Sequence, residues 1–162
     1  MISFTQLNRS YWQGTAIASL IIWLCSSLTL DFVLMPGMYA AGMMNEPGFA
    51  TAGYSMFWMF NRFELLCAAL VFTGTLVLVQ RGIVENNRTT IALAAALMAI
   101  VLAYTYALVP EMSALGLQLD AFSNVPAVPE EMNLMHGLYW LLDVLKFAAG
   151  GVLLRQLLTA TR

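Results

Sequence analysis

The sequence predicts an all-α integral membrane protein, a bundle of four helices, and three observations predict it. First, 60% of the 162 residues are hydrophobic and only 10% are charged, against about 45–50% apolar and about 25% charged in an average soluble domain. A soluble domain of this size has too little interior to hide so much apolar surface. Second, residues 10–30 form an uncharged run of 21 and residues 89–110 one of 22, where about 20 helical residues cross a hydrocarbon core. Third, the apolar segments lack the short alternating pattern of a membrane barrel. Backbone groups in lipid must then be satisfied within each segment, which leaves helix.

The elements follow in chain order. The first helix is expected over about residues 11–36 and the third over about 89–110, each closed by a proline, Pro36 or Pro110. Proline removes a backbone donor and so ends or kinks a helix. The second helix covers about 54–80, is interrupted by Arg62 and Glu64, and begins with Tyr54, Phe57, Trp58 and Phe60, an aromatic belt of the interfacial kind. The fourth covers about 132–155 and carries Asp143 and Lys146. Loops near 38–52, 81–89 and 111–131 connect them, and residues 1–162 form a single membrane domain. Cys25 and Cys67 fall inside apolar runs, without ligand spacing, and read as small hydrophobes.

Charge sets the orientation and excludes a partner class. Seven Lys and Arg against nine Asp and Glu offer no basic surface for nucleic acid. Outside the spans, Arg9, Arg81, Arg88, Arg155 and Arg162 all fall on one side, whereas the first and third loops carry Glu46, Glu111, Asp120, Glu130 and Glu131. Both termini are therefore expected in the cytoplasm.

The two halves resemble each other. Residues 32–42 and 106–116, at an offset of 74, share Leu, Pro, Met, Ala and Gly in 11 positions. At an offset of 76 the second and fourth helices pair Met56 with Met132, Met59 with Met135, Leu65 with Leu141, Leu66 with Leu142, Gly74 with Gly150, Leu78 with Leu154 and Gln80 with Gln156. The pattern reads as two duplicated helical hairpins in parallel orientation. Small residues such as Gly14 and Ala18, Gly37 and Ala41, and Gly150 and Gly151 offer places for close helix approach.

Polar residues concentrate on the fourth helix. His136, Tyr139, Asp143, Lys146 and Gly150 are spaced by three and four residues, which puts them on one face. Ionisable groups at bilayer depth cost at least about 2.5–3.5 kcal/mol each unless paired or wet, so this face turns inward. Asp143 and Lys146 can pair at i,i+3. Either the stripe is a salt bridge that sets helix register, or it lines a polar cavity with Arg62, the better inward candidate of the Arg62/Glu64 pair. Asp31, Glu111 and His136 are candidates for an outward-facing metal site. Nine of the 11 methionines, Met35 and Met38 among them, lie toward the outer ends. Thioethers suit Cu(I), but methionine also fills irregular gaps.

The apolar first helix ending near Pro36, the aromatic–proline exit at Tyr106 and Pro110, and the run Leu134-Met135-His136-Gly137-Leu138 resemble the transmembrane protein 205-like family, also described as domain of unknown function 4149, across about residues 15–155. In that family the His-Gly-Leu run continues with two serines, two leucines and an asparagine. This chain keeps Leu141 and Leu142 and departs at Tyr139, Trp140 and Asp143. The resemblance implies a four-helix membrane protein and brings no established activity.

No nucleophile–base pair, phosphate loop or zinc motif is present in the sequence. The reading is therefore a multi-pass membrane protein without enzymatic activity or cofactor, an accessory or assembly subunit of a larger membrane complex or a homo-oligomer in the lipid bilayer. The alternative is a small transporter or copper-handling protein with an outward-facing polar cavity.

Overall fold

A computed structural model of the chain describes residues 4–43, 46, 48–84, 87–121 and 130–160, the side chains of 4–10, 87 and 118–121 excepted. Most of the described residues are helical and none of them is in a strand. They form four rods. The first joins α1 (Phe4–Thr29), a π turn at Leu30–Leu34 and α2 (Met35–Ala40); the second is α3 (Phe49–Gln80). The third joins α4 (Asn87–Ala103), a second π turn at Tyr104–Leu108 and α5 (Val109–Ala121), and the fourth is α6 (Glu130–Thr159). All four are long and apolar enough to cross a membrane, with spans of 30 to 32 residues. At about 1.5 Å per residue each is about 45 Å long, enough for the hydrocarbon core and both headgroup layers.

Each rod packs against its two neighbours in chain order and the fourth returns to the first, α1 on α3, α3 on α4, α4 on α6 and α6 on α1. Neighbours run antiparallel: Gln13, early in α1, donates to the carbonyl of Leu157, late in α6, at 2.6 Å. Heptad spacing builds the seam. Buried positions recur at 13, 16, 20, 23, 27 and 30 in the first rod, at 61, 64, 68, 71, 75 and 78 in the second, at 90, 94, 97, 101, 104 and 108 in the third, and at 143, 146, 150, 153 and 157 in the fourth. A 3.5-residue repeat keeps one stripe facing its partners along the whole bundle.

The expectation that Pro36 and Pro110 end their helices is corrected. Both rods continue through them, because the turn before each proline is widened: Met35 N–H donates to the carbonyl of Leu30, and Val109 N–H to that of Tyr104. An i→i−5 bond spends one extra residue per turn and relieves the clash between a proline ring and the carbonyl four residues back. The first and third helices are thus longer than 11–36 and 89–110. The second and fourth also begin earlier than expected, at Phe49 and Glu130.

The turn that follows α3 is tight. Gly82 (φ +66°) closes α3 with its N–H on the Val79 carbonyl and the Ile83 N–H on that of Leu78, the Schellman arrangement that needs a left-handed residue. Close approach falls at one of the expected glycines, Gly150, and at Gly74, which the sequence places only in the repeat. A Cβ on Gly74 would lie 2.9 Å from Ala16 Cβ, and one on Gly150 would lie 3.0 Å from Leu24. Gly14, Gly37 and Gly151 have nothing within 4 Å of such a Cβ, so those three do not serve helix contact within this chain.

Candidate functional site

Between the main apolar core, centred on Leu20, Val71, Leu97 and Leu153, and a smaller cluster of Ile100, Tyr104, Leu108 and Val109 lies a layer of buried polar groups. Every rod contributes. The first supplies Trp23, Ser27 and Asp31 at i, i+4 and i+8, the second Glu64, the third Tyr104, and the fourth Tyr139, Asp143 and Lys146. Glu64 and Asp143 are each 1% exposed, Asp31 3%, and Lys146 fully enclosed.

Glu64 is the hub. Its Oε1 accepts from Trp23 Nε1 at 2.8 Å, Ser27 Oγ at 3.1 Å and Lys146 Nζ at 3.1 Å. Three donors at one oxygen replace most of the water that a carboxylate loses on burial. Lys146 Nζ also lies 2.6 Å from Asp143 Oδ1. That short ion pair leaves Asp143 Oδ2 without a partner of its own among the described residues. The ammonium further sits 5.4 Å from the ring centroid of Tyr104 and 5.5 Å from that of Phe147, within cation–π range.

Tyr139 ties the two π turns together. Its hydroxyl donates to Asp31 Oδ1 at 2.8 Å, while its carbonyl accepts from the Tyr104 hydroxyl at 3.2 Å and the two rings stack at 4.9 Å. Asp31 belongs to the first π turn and Tyr104 opens the second. Widened turns rotate the following side chains relative to a regular helix and recur at functional sites. In the first turn the widening brings two consecutive residues, Leu30 and Asp31, into the interior. Asp31 Oδ2, like Asp143 Oδ2, is buried without a hydrogen-bond partner among the described residues.

The sequence-predicted polar cavity, Arg62, His136, Tyr139, Asp143 and Lys146, is corrected in two members. Tyr139, Asp143 and Lys146 meet in the interior. Arg62 is exposed: its guanidinium lies 3.3 Å from the ring centroid of Trp58, and its Nη1 donates to the Trp58 carbonyl. The reason is register. Glu64 falls in the buried heptad stripe with Asn61, Ala68, Val71, Thr75 and Leu78, whereas Arg62 lines up with the exposed Leu66, Ala69 and Thr73. The heptad spacing around Glu64 was the signal that a charge count overlooks.

His136 shares the stripe's spacing but sits exposed, its Nδ1 2.8 Å from the Met132 carbonyl. The candidate metal trio of Asp31, Glu111 and His136 does not assemble. Asp31 is enclosed against Tyr139, Glu111 and His136 are exposed, and among the described residues no three His, Cys, Asp or Glu side chains gather as a ligand set. Met35 and Met38 are half-buried on the first rod. Met44 and Asp120 lie outside the residues whose side chains are described.

Among the described residues, Asp31, Glu64, Asp143 and Lys146 form a buried layer. The surface groove lined by Cys25, Ser26, Thr29, Leu30, Leu34 and Phe60 beside the first π turn contains none of them. Trp23, Ser27 and Tyr104 escaped the sequence reading, although 23, 27 and 31 already sit four residues apart on one helix face.

Comparison with protein-family models, with curated proteins and with solved structures finds no match to this chain.

Proposed function

We propose that this chain is a multi-pass membrane protein without catalytic chemistry, whose bundle interior handles a small cation, a proton in the first place. One observation carries the reading. All four rods commit residues to a single desolvated layer in which three carboxyls share one base: Lys146 contacts Glu64 and Asp143, while Asp31 is held by the Tyr139 hydroxyl. A salt bridge that only fixed helix register would need one acid for that lysine. Two more at a cost of at least about 2.5–3.5 kcal/mol each, unless neutralised, point to use. The placement of Asp31 and Tyr104 in π turns supports the same reading.

The proposal keeps both termini in the cytoplasm. Arg81, Arg88 and Arg155 are exposed at the end of the bundle where α3 stops, α4 starts and α6 stops, and positive residues favour that side. It also keeps the resemblance to the transmembrane protein 205-like family, which supplies a layout and no activity. An accessory or assembly role rests on the small size of the chain and on its apolar outer face, which lipid covers as well as a partner does.

Phospholipid vesicles holding the purified protein and an internal pH-sensitive dye test the proposal under an imposed membrane potential. Wild-type vesicles are expected to change internal pH faster than protein-free vesicles or vesicles carrying Asp143→Asn. Equal rates in all three sink it. A large partner recovered in stoichiometric amount in mild detergent, together with equal rates, establishes the accessory role instead.

A further inference from the structure

We infer that the first π turn binds a small monovalent cation, with Na+ as its probe, on two oxygens of Asp31: carboxylate Oδ2 and the main-chain carbonyl. The site rests on the cation-handling reading above only for its use, and it is detected by binding, without any flux.

The backbone leads there. The Met35 N–H donates to the Leu30 carbonyl, and Pro36, next in the chain, has no N–H to offer. The Asp31 carbonyl therefore has no backbone donor one turn further along its rod. At bilayer depth such open backbone is tolerated only where it is buried in protein or lines a cavity. Interrupted helices in membranes present carbonyls of this kind to Na+.

The side chain points to the same ligand. Asp31 is 3% exposed, its Oδ1 holds the Tyr139 hydroxyl, and its Oδ2 is buried without a partner among the described residues. Among the described residues no ammonium or guanidinium lies within ion-pair distance of it, since Lys146 Nζ goes to Glu64 and Asp143 instead. A buried carboxylate with one hydroxyl donor and no counter-ion calls for a cation. One negative charge suits a monovalent ion. A divalent ion asks for a larger set of oxygen ligands, and no three His, Cys, Asp or Glu side chains gather among the described residues.

The fold gives the ion a way in. Asp31 is the last buried residue described on the first rod. Beyond it, α2 packs on none of the other described rods, so the site lies one layer below a loosened end of the ring. Water from that end completes the shell of the ion.

The second half of the chain supplies an internal control. Thr105 stands 74 residues after Asp31 and holds the same place in the second π turn. There the Val109 N–H goes to Tyr104, Pro110 has no N–H, and Thr105 Oγ1 is buried without a partner among the described residues. The backbone device occurs twice, but only its first copy carries an acid.

Thermal unfolding of the purified protein in lipid nanodiscs tests the site, in sodium chloride against choline chloride at equal ionic strength. A ligand held by the folded state alone raises the unfolding temperature. The wild type is expected to unfold at a higher temperature in sodium chloride, with a dose dependence that saturates, and Asp31→Asn at the same temperature in both salts. Pro36→Ala, which returns an N–H to the open carbonyl, should need a several-fold higher Na+ concentration for half the shift. Pro110→Ala should leave the wild-type dependence intact.

A wild type indifferent to the choice of salt overturns the inference, as does a shift that survives in Asp31→Asn. Wild-type dependence in Pro36→Ala overturns it too, because the open carbonyl then plays no part. Equal weakening in Pro36→Ala and Pro110→Ala does the same, because the effect then belongs to helix straightening. If Asp31→Asn does not fold, the two proline variants, which leave every buried side chain in place, decide alone. A sodium shift in protein that carries no proton flux keeps this site and removes only the broader function.

Discussion

Lys146 and Glu64 stand 82 residues apart in the chain, yet the ammonium of one lies 3.1 Å from Oε1 of the other with both side chains sealed from solvent. The contact closes the ring of rods across the bundle, joining α6 to an acid that α1 also holds through Trp23 and Ser27. Removing one partner of a buried pair leaves an uncompensated charge, at a cost of about 3–5 kcal/mol. Lys146→Met should therefore lower unfolding stability in detergent by about that much, and Lys146→Met with Glu64→Gln should recover part of it. A double variant no more stable than Lys146→Met alone would show that Lys146 is held mainly by Asp143.

Arg62 provides the contrast. It is charged, within a span and two residues from Glu64, but it is exposed and stacked on Trp58. An exposed cation–π contact contributes about 0.5–1 kcal/mol, so Arg62→Ala should change stability by no more than this. A loss as large as that of Lys146→Met, in the same unfolding assay, would place Arg62 in the interior network after all.

Helix approach at Gly74 is tight enough that a single methyl group matters. Gly74→Ala sets two Cβ atoms 2.9 Å apart, against Ala16, and overpacking of this kind costs about 1–3 kcal/mol. The compensating pair Gly74→Ala with Ala16→Gly should restore most of the loss, whereas Gly14→Ala, with open space around its Cβ, should lose nothing. Thermal unfolding of the three proteins checks the contact between α1 and α3.

Tyr139→Phe removes the donor to Asp31 Oδ1 and keeps the ring stacked on Tyr104. A buried acceptor left without its donor costs about 1–3 kcal/mol. Stability in detergent should fall by that amount, and a variant as stable as the wild type would show that the hydroxyl is not needed by Asp31.

The amino-acid sequence by itself determined the number of helices, their approximate extents and the pairing of Asp143 with Lys146. Hydrophobic run length and i,i+3 spacing are local properties that lipid and helix geometry read directly. It also contained the heptad stripe that buries Glu64, although a reading centred on charges turned Arg62 inward in its place. Two features were decided only by the tertiary structure. The widened turns before Pro36 and Pro110 arise because a proline inside a packed rod is accommodated by an i→i−5 bond, where the same residue read in isolation ends a helix. The convergence of Asp31, Glu64, Asp143 and Lys146 depends on how four rods rotate about their axes when their stripes meet. That rotation is a sum of packing contacts across the bundle, from Gly74 on Ala16 to Gly150 on Leu24, and no segment of the chain specifies it alone.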